Sequence, residues 1–191
     1  KRAYETLANN NYAFDSVTQG QQKIFNITVP VNAARIKVMV YWHDYEGNPV
    51  AAKALVNDLN ITLTDPSSNV LLPLILNPTP NATTLNAVAV PGVDTLNNVE
   101  QVVVTYPAAG TYTLTVDGFE VPQGPQNFYV VWDVIDDGIN VTYPNGAEGF
   151  VTGEQETIRW DASESSQTIT LEYSLDNGAN WNQIVTNLPP A

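Results

Sequence analysis

The chain has 191 residues, 43% hydrophobic and 14% charged, with 7 Lys and Arg against 20 Asp and Glu and a formal net charge of −13. That apolar fraction is enough to bury a real core, which excludes a disordered chain, and the acid excess repels phosphate backbones and anionic lipid, which argues against nucleic acid and membrane surfaces as partners. The lack of cysteine removes thiolate metal sites, cysteine nucleophiles and disulfides, and no apolar run approaches the roughly 18 residues of a membrane-spanning helix.

In chain order, the opening KRAYETLANNNY sets Ala3, Leu7 and Ala8 at helical spacing and stops in an Asn triplet suited to a helix end, which predicts a short helix. From Gln21 onward the pattern has period two, in β-branched and aromatic runs bounded by Gly, Pro, Asn and Asp. Strands are predicted over 23–30, 34–44 and 54–65, over the apolar LLPLIL at 71–76, and over 84–90, 99–107, 110–121 and 127–135. Ile36, Val38, Val40 and Trp42 share one face of the second, opposite Lys37, Met39, Tyr41 and His43. In the third, Leu55, Asn57, Leu59, Ile61 and Leu63 alternate with Val56, Asp58, Asn60, Thr62 and Thr64. So many strands without a helix long enough for a parallel crossover predict an all-β fold, a jelly-roll-like β-sandwich.

A second unit is expected to follow the acidic pair Asp136 and Asp137, with strands over 140–144, 156–160, 168–176 and 180–185 and an Asn-Gly turn at Asn177 and Gly178. That gives three segments: 1–22, helix and linker; 23–136, the sandwich; and 137–191, a small β unit short for a complete sandwich domain of ~100 residues. The abrupt start at Lys1 and the closing NLPPA both read as cuts from something longer.

Catalytic signatures are scarce. The single histidine, His43, has no Gly-x-Ser-x-Gly elbow to accompany it, and there is no phosphate-binding loop, dinucleotide fingerprint or His-Glu-x-x-His motif. His43 lies at a strand end beside Asp44, where an imidazole bonded to a carboxylate would be ordinary. Trp42, Trp132 and Trp160 read as core anchors, while Trp181 could be exposed and touch sugar. No carboxylate pair of a glycosidase stands out from the acidic background. The Asn-x-Ser/Thr sequons at Asn26, Asn60, Asn81 and Asn140 are frequent by chance in so Asn- and Thr-rich a chain.

The carboxylates say more. Between Lys53 and Arg159 there is no Lys or Arg, while Asp or Glu stands at 58, 65, 94, 100, 117, 120, 133, 136, 137, 148, 154 and 156. A fold that converges carboxylates without cations can relieve their repulsion by binding a hard cation such as Ca²⁺, which takes oxygen ligands. Asp44, Asp58, and the loop DTLNNVE with Asp94, Asn97, Asn98 and Glu100 are the candidate metal ligands, although turn formation and a solvated acidic surface explain the same residues.

The run from RIKVMVYWHDYEG through LVNDLNITLTDPSSNVLLPL, then VDTLNNVEQVVVTYPAAGTYTLTV and NFYVVW, resembles the β-barrel or jelly-roll domain C-terminal to the catalytic domain in secreted bacterial subtilisin-like serine proteases. It is distantly similar to the P-domain of proprotein convertases. RAYETLANNNY resembles the last helix of the subtilisin catalytic domain, and the tail from Ile139 is similar to immunoglobulin-like repeats of exported bacterial proteins. The resemblance implies an extracellular protein whose catalytic triad lies upstream, so this chain holds no catalytic residue. It implies the protease domain as partner in cis and, as in some relatives, calcium. The function expected is thus a non-catalytic accessory region that stabilises the protease and assists substrate access. The alternative is an adhesion module that binds polysaccharide or protein.

Overall fold

The computed structural model describes residues 2–162 and 168–189 and divides the chain into two compact units, Lys1–Val134 and Ile135–Ala191. Pro190 and Ala191, in the segment read as a C-terminal cut, lie outside the described residues.

The first unit starts with helix α1 (Arg2–Ala8) and continues through β1 (Tyr12–Val17), β2 (Gln22–Val29), β3 (Ala33–Trp42), β4 (Asp58–Thr64), β5 (Val70–Leu71), β6 (Leu74–Ile75), α2 (Ala82–Leu85), β7 (Val90–Pro91), β8 (Val99–Thr105), β9 (Gly110–Glu120) and β10 (Gln126–Asp136). Two four-stranded sheets have the orders β1-β10-β3-β8 and β2-β9-β4-β5. The pairings nest: β1 with β10, β2 with β9, β3 with β8, and β4 with β5 at the centre, all antiparallel. A long hairpin rolled so that its outer ends and its tip fall on alternate sheets is the jelly roll, the fold class read from the sequence.

Period-two patterning builds the core between the sheets. Ile36, Val38, Val40 and Trp42 of β3 face Leu59, Ile61 and Leu63 of β4 and Leu114 and Val116 of β9 in one cluster, each at most 2% exposed. Phe128 closes on Phe25 edge-on at 6.0 Å. Burial of each such side chain contributes about 1.5–3 kcal/mol, which offsets the entropy of ordering the strands. At Gly118 the backbone of β9 comes close to the β1–β2 turn, where Gly20 N–H donates to its carbonyl and its own N–H donates to Gln21 O.

Three local expectations change. Residues 12–17, assigned to a linker, form β1, which pairs with β10 from Tyr12 opposite Val131 to Val17 opposite Gln126. LLPLIL is not one strand: Pro73, which lacks an N–H for a ladder, sits between β5 and β6. Of the strand expected over 84–90 only Val90 is extended in β7; α2 takes the first two positions and a turn follows it. There Asn81 Oδ1 accepts from Thr84 N at 2.9 Å, and Asn86 Nδ2 donates to Ala82 O at 2.7 Å, local bonds that compete with strand pairing.

The second unit contains β11 (Ile139–Tyr143) paired with β12 (Arg159–Ala162), and β13 (Ile169–Tyr173) paired with β14 (Asn182–Leu188). Asn177 and Gly178 both take positive φ, as an Asn-Gly turn requires, within a longer loop pinned by Asp176, whose carboxylate accepts from Asn180 N and Nδ2.

Candidate functional site

Two features of the first unit stand out chemically: an acidic cleft at the side of the sandwich and an exposed aromatic cluster on an outer sheet face. The cleft follows from how β4 is paired. On one side β4 pairs with β9 along its length, but on the other β5 reaches only Leu63 and Thr64. Below that level its edge is open, and β8 supplies the missing acceptor. Glu100 lies opposite Val40 in the β3–β8 register, on the inward parity with Val102 opposite Val38, so its carboxylate points between the sheets. Its Oε2 accepts from Ile61 N at 3.0 Å, and its Oε1 has no partner. Glu100 is 2% exposed, and burial pushes its carboxyl up to about 8; the charges of Asp94 and Asp58 add to the rise and the Ile61 N–H opposes it.

A cleft of about 210 Å³ opens beside this carboxylate, lined by Glu100, Asn60, Asp117, Thr62 and Thr115 together with the Pro73 bend. Asn60 and Asp117 are register partners on β4 and β9. Asn60 Oδ1 is buried without a donor, and so is Oδ1 of Asp58, whose other oxygen accepts from Lys53 Nζ at 2.7 Å.

Of the six residues expected to ligate metal, Asp58 and Asp94 lie near enough to Glu100 for their charges to act on its carboxyl, while Asp44, Asp94, Asn97 and Asn98 have side chains engaged in local bonds. Asp44 receives Val56 N and Asn57 N at 2.7 and 2.9 Å, holding the link into β4. Asp94 caps its own loop, accepting from Leu96 N, Asn97 N and Asn97 Nδ2. Asn98 Nδ2 donates to Trp42 O at 2.8 Å. Among the described residues, no three His, Asp or Glu side chains group closely enough to hold a metal by themselves. Of the orphaned buried oxygens, those of Asn60 and Glu100 line the cleft and are of the hard type calcium takes, so the residues there fit the ion that the resemblance implies. Asn60 and Asp117 were not singled out from sequence as ligands. The available signal was parity, since Glu100 shares the inward face with Val102.

A buried polar network ties the β9–β10 loop to β4. Asn57 Nδ2 donates to Gln123 O and Gln126 Oε1, both at 2.7 Å, its Oδ1 accepts from Gln123 N, and Trp42 Nε1 donates to Asn57 O at 2.9 Å. His43 is exposed, and with Asp44 committed to backbone the two make no base-and-orienter pair. Trp42 is fully buried, Trp132 packs against the core, and Trp181 is 60% exposed.

The outer face of the β1-β10-β3-β8 sheet carries an exposed aromatic cluster beside polar residues such as Lys37 and Gln101. Phe14 and Tyr129, cross-strand partners with ring centroids 5.0 Å apart, are joined there by Tyr12, Tyr41 and Met39, all exposed.

No family model and no curated protein sequence matches this chain. Among solved structures, the crystal structure of Bacillus licheniformis lipase BlEst2 in propeptide form is similar at a TM-score of 0.39 and 13% identity, over 66% of this chain and 22% of that one. This chain therefore spans about a fifth of that protein's length, and so loose a likeness says nothing about function.

Proposed function

We propose that this chain is a non-catalytic accessory region of a secreted bacterial subtilisin-like serine endopeptidase, whose jelly roll braces the catalytic domain in cis. The observation that carries the proposal is the exposed aromatic cluster on the outer face of the β1-β10-β3-β8 sheet. Large contiguous apolar patches on soluble domains mark contact surfaces. The face is continuous in sequence with α1, where Thr6 is buried while Tyr4 and Leu7 are 75% and 62% exposed. Only Asn9, Asn10 and Asn11 separate α1 from β1, the strand that supplies Tyr12 and Phe14 to the face. Since α1 resembles the closing helix of the protease domain, that domain would cover both.

Peptide hydrolysis would then belong to residues preceding this chain, and bracing works through burial at an intramolecular interface of roughly 600–1,500 Å². Calcium bound only to the folded jelly roll would add RT ln(1 + [Ca²⁺]/Kd), about 2.7 kcal/mol at a hundredfold excess over Kd. The immunoglobulin-like character of the second unit belongs to the same proposal.

The test is the triple variant Tyr12→Ser, Phe14→Ser, Tyr129→Ser in the full-length polypeptide. Peptidase inactivation should move several degrees lower, by more than the isolated jelly roll loses with its Phe14–Tyr129 pair, worth about 0.5–1.5 kcal/mol. Unchanged inactivation would remove the reading. Retention of the native chain, lost in this variant, on insoluble polysaccharide would favour the adhesion module instead.

A further inference from the structure

The cleft beside Glu100 is rich in oxygen acceptors, and its described lining holds no cationic side chain. Two carboxylates, Glu100 and Asp117, and the amide of Asn60 line it, and its described lining includes no Lys, Arg or His. Oε1 of Glu100, a side chain 2% exposed, and Oδ1 of Asn60 both lack partners. Asp58 Oδ1, two residues before Asn60 on β4, is a third buried oxygen without a donor. Lys53, which reaches Asp58, is taken up by the other oxygen of that carboxylate and by Glu120 at 3.8 Å. Water entering the cleft brings O–H donors but would leave a carboxylate ionised there without a compensating charge. A cation accepts the oxygen lone pairs and compensates that charge. An all-oxygen lining of carboxylate, amide and hydroxyl groups selects a hard divalent ion over a soft one.

We propose that this cleft is a hard divalent cation site, of the calcium class, with Glu100 Oε1 and Asn60 Oδ1 as protein ligands and Asp117 as the second carboxylate. Water from the open side completes the shell. The ion links β8 to β4 across the sandwich at the level where β5 has ended, reinforcing the single Ile61–Glu100 hydrogen bond. With two carboxylates, the affinity falls in the range of extracellular modules, a Kd on the order of 10⁻⁴–10⁻³ M. The site is a property of the jelly roll and does not depend on which enzyme precedes it.

The experiment melts the chain after chelation, with calcium chloride or magnesium chloride added back. Wild-type jelly roll should gain about 5–10 °C at a hundredfold excess of calcium over Kd, with a smaller gain from magnesium. Glu100→Gln should fold, melt no lower than wild type in chelator, and lose the calcium response. Asp117→Asn should weaken the response several-fold, and it carries the test should the first variant misfold. Asp176→Asn, in the second unit, should respond as wild type does, which separates a defined site from diffuse attraction to an acidic chain. Absence of a calcium shift in the wild type, or a full shift in both Glu100→Gln and Asp117→Asn, overturns the proposal.

Discussion

Glu100→Gln in the absence of divalent cations should stabilise the jelly roll, and the gain should grow with pH. The folded carboxyl titrates near 8 against 4.5 for an ordinary glutamate, mainly because burial penalises its charged form. A folded pKa above the unfolded one means that the native state holds a proton the unfolded chain has released. The contribution of Glu100 is therefore most favourable below about pH 4.5 and is lost as pH rises through 8. The slope is roughly 1.4 kcal/mol per pH unit, so the loss is about 3 kcal/mol by pH 7. That is a large share of a typical domain stability of ~5–15 kcal/mol. Glutamine is neutral throughout, keeps an oxygen for the Ile61 N–H, and turns an N–H into the cleft where Oε1 has no partner. Thermal melts in chelator from pH 5 to 8 should show the wild type declining relative to the variant, with a gap at pH 7 of about 6–12 °C. Parallel curves, or a variant that loses ground with rising pH, would show that Glu100 is ionised and well solvated in the folded state.

Lys53→Met leaves the 1%-exposed Asp58 carboxylate without its cation, and should lower the free energy of unfolding by about 2 kcal/mol in urea titrations. The cost stays below that of a fully buried pair because Lys53 is itself 34% exposed. Asn57→Ala removes donors to Gln123 O and Gln126 Oε1 and orphans Gln123 N; a loss of about 2–3 kcal/mol is expected, with faster hydrogen exchange in the loop 122–125. Gly118→Ala would set a Cβ 2.3 Å from Thr18 O, a backbone atom that cannot step aside, so the β1–β2 turn must move. Urea titration should register a loss of at least about 1–3 kcal/mol.

Legibility from sequence tracked how far each side chain obeys a single rule. The alternation at Ile36, Val38, Val40 and Trp42 fixed the inner face of β3 because all four positions are apolar and all four are buried. The jelly-roll class was readable from strand number and turn spacing, although the nested pairing itself comes from long-range contacts with no local trace. β1 was missed because Tyr12 and Phe14 point away from the core and Asp15 interrupts the pattern, where it pairs with Lys23 at 2.9 Å. Asp58 breaks the parity of β4, being buried on the face opposite Leu59, since Lys53 folds over it. For the candidate site, composition pointed to oxygen-rich acidic segments, and the structure sets their side chains to different tasks. The DTLNNVE segment is dense in oxygen, but Asp94 and Asn97 spend their side chains on each other, and Glu100 alone leaves the loop to enter the core. Its companions Asn60 and Asp117 lie 40 and 17 residues away in sequence and meet it only through the pairing of β4 with β9 and the crossing of β8.

The most direct measurement compares thermal inactivation of the full-length polypeptide with that of a version ending at Asn11, just after α1. The expected result is an inactivation temperature several degrees lower for the short form, with peptide hydrolysis at permissive temperature largely retained. Equal inactivation temperatures would contradict the bracing role, and so would hydrolysis by the isolated chain that disappears when one of its own side chains is replaced.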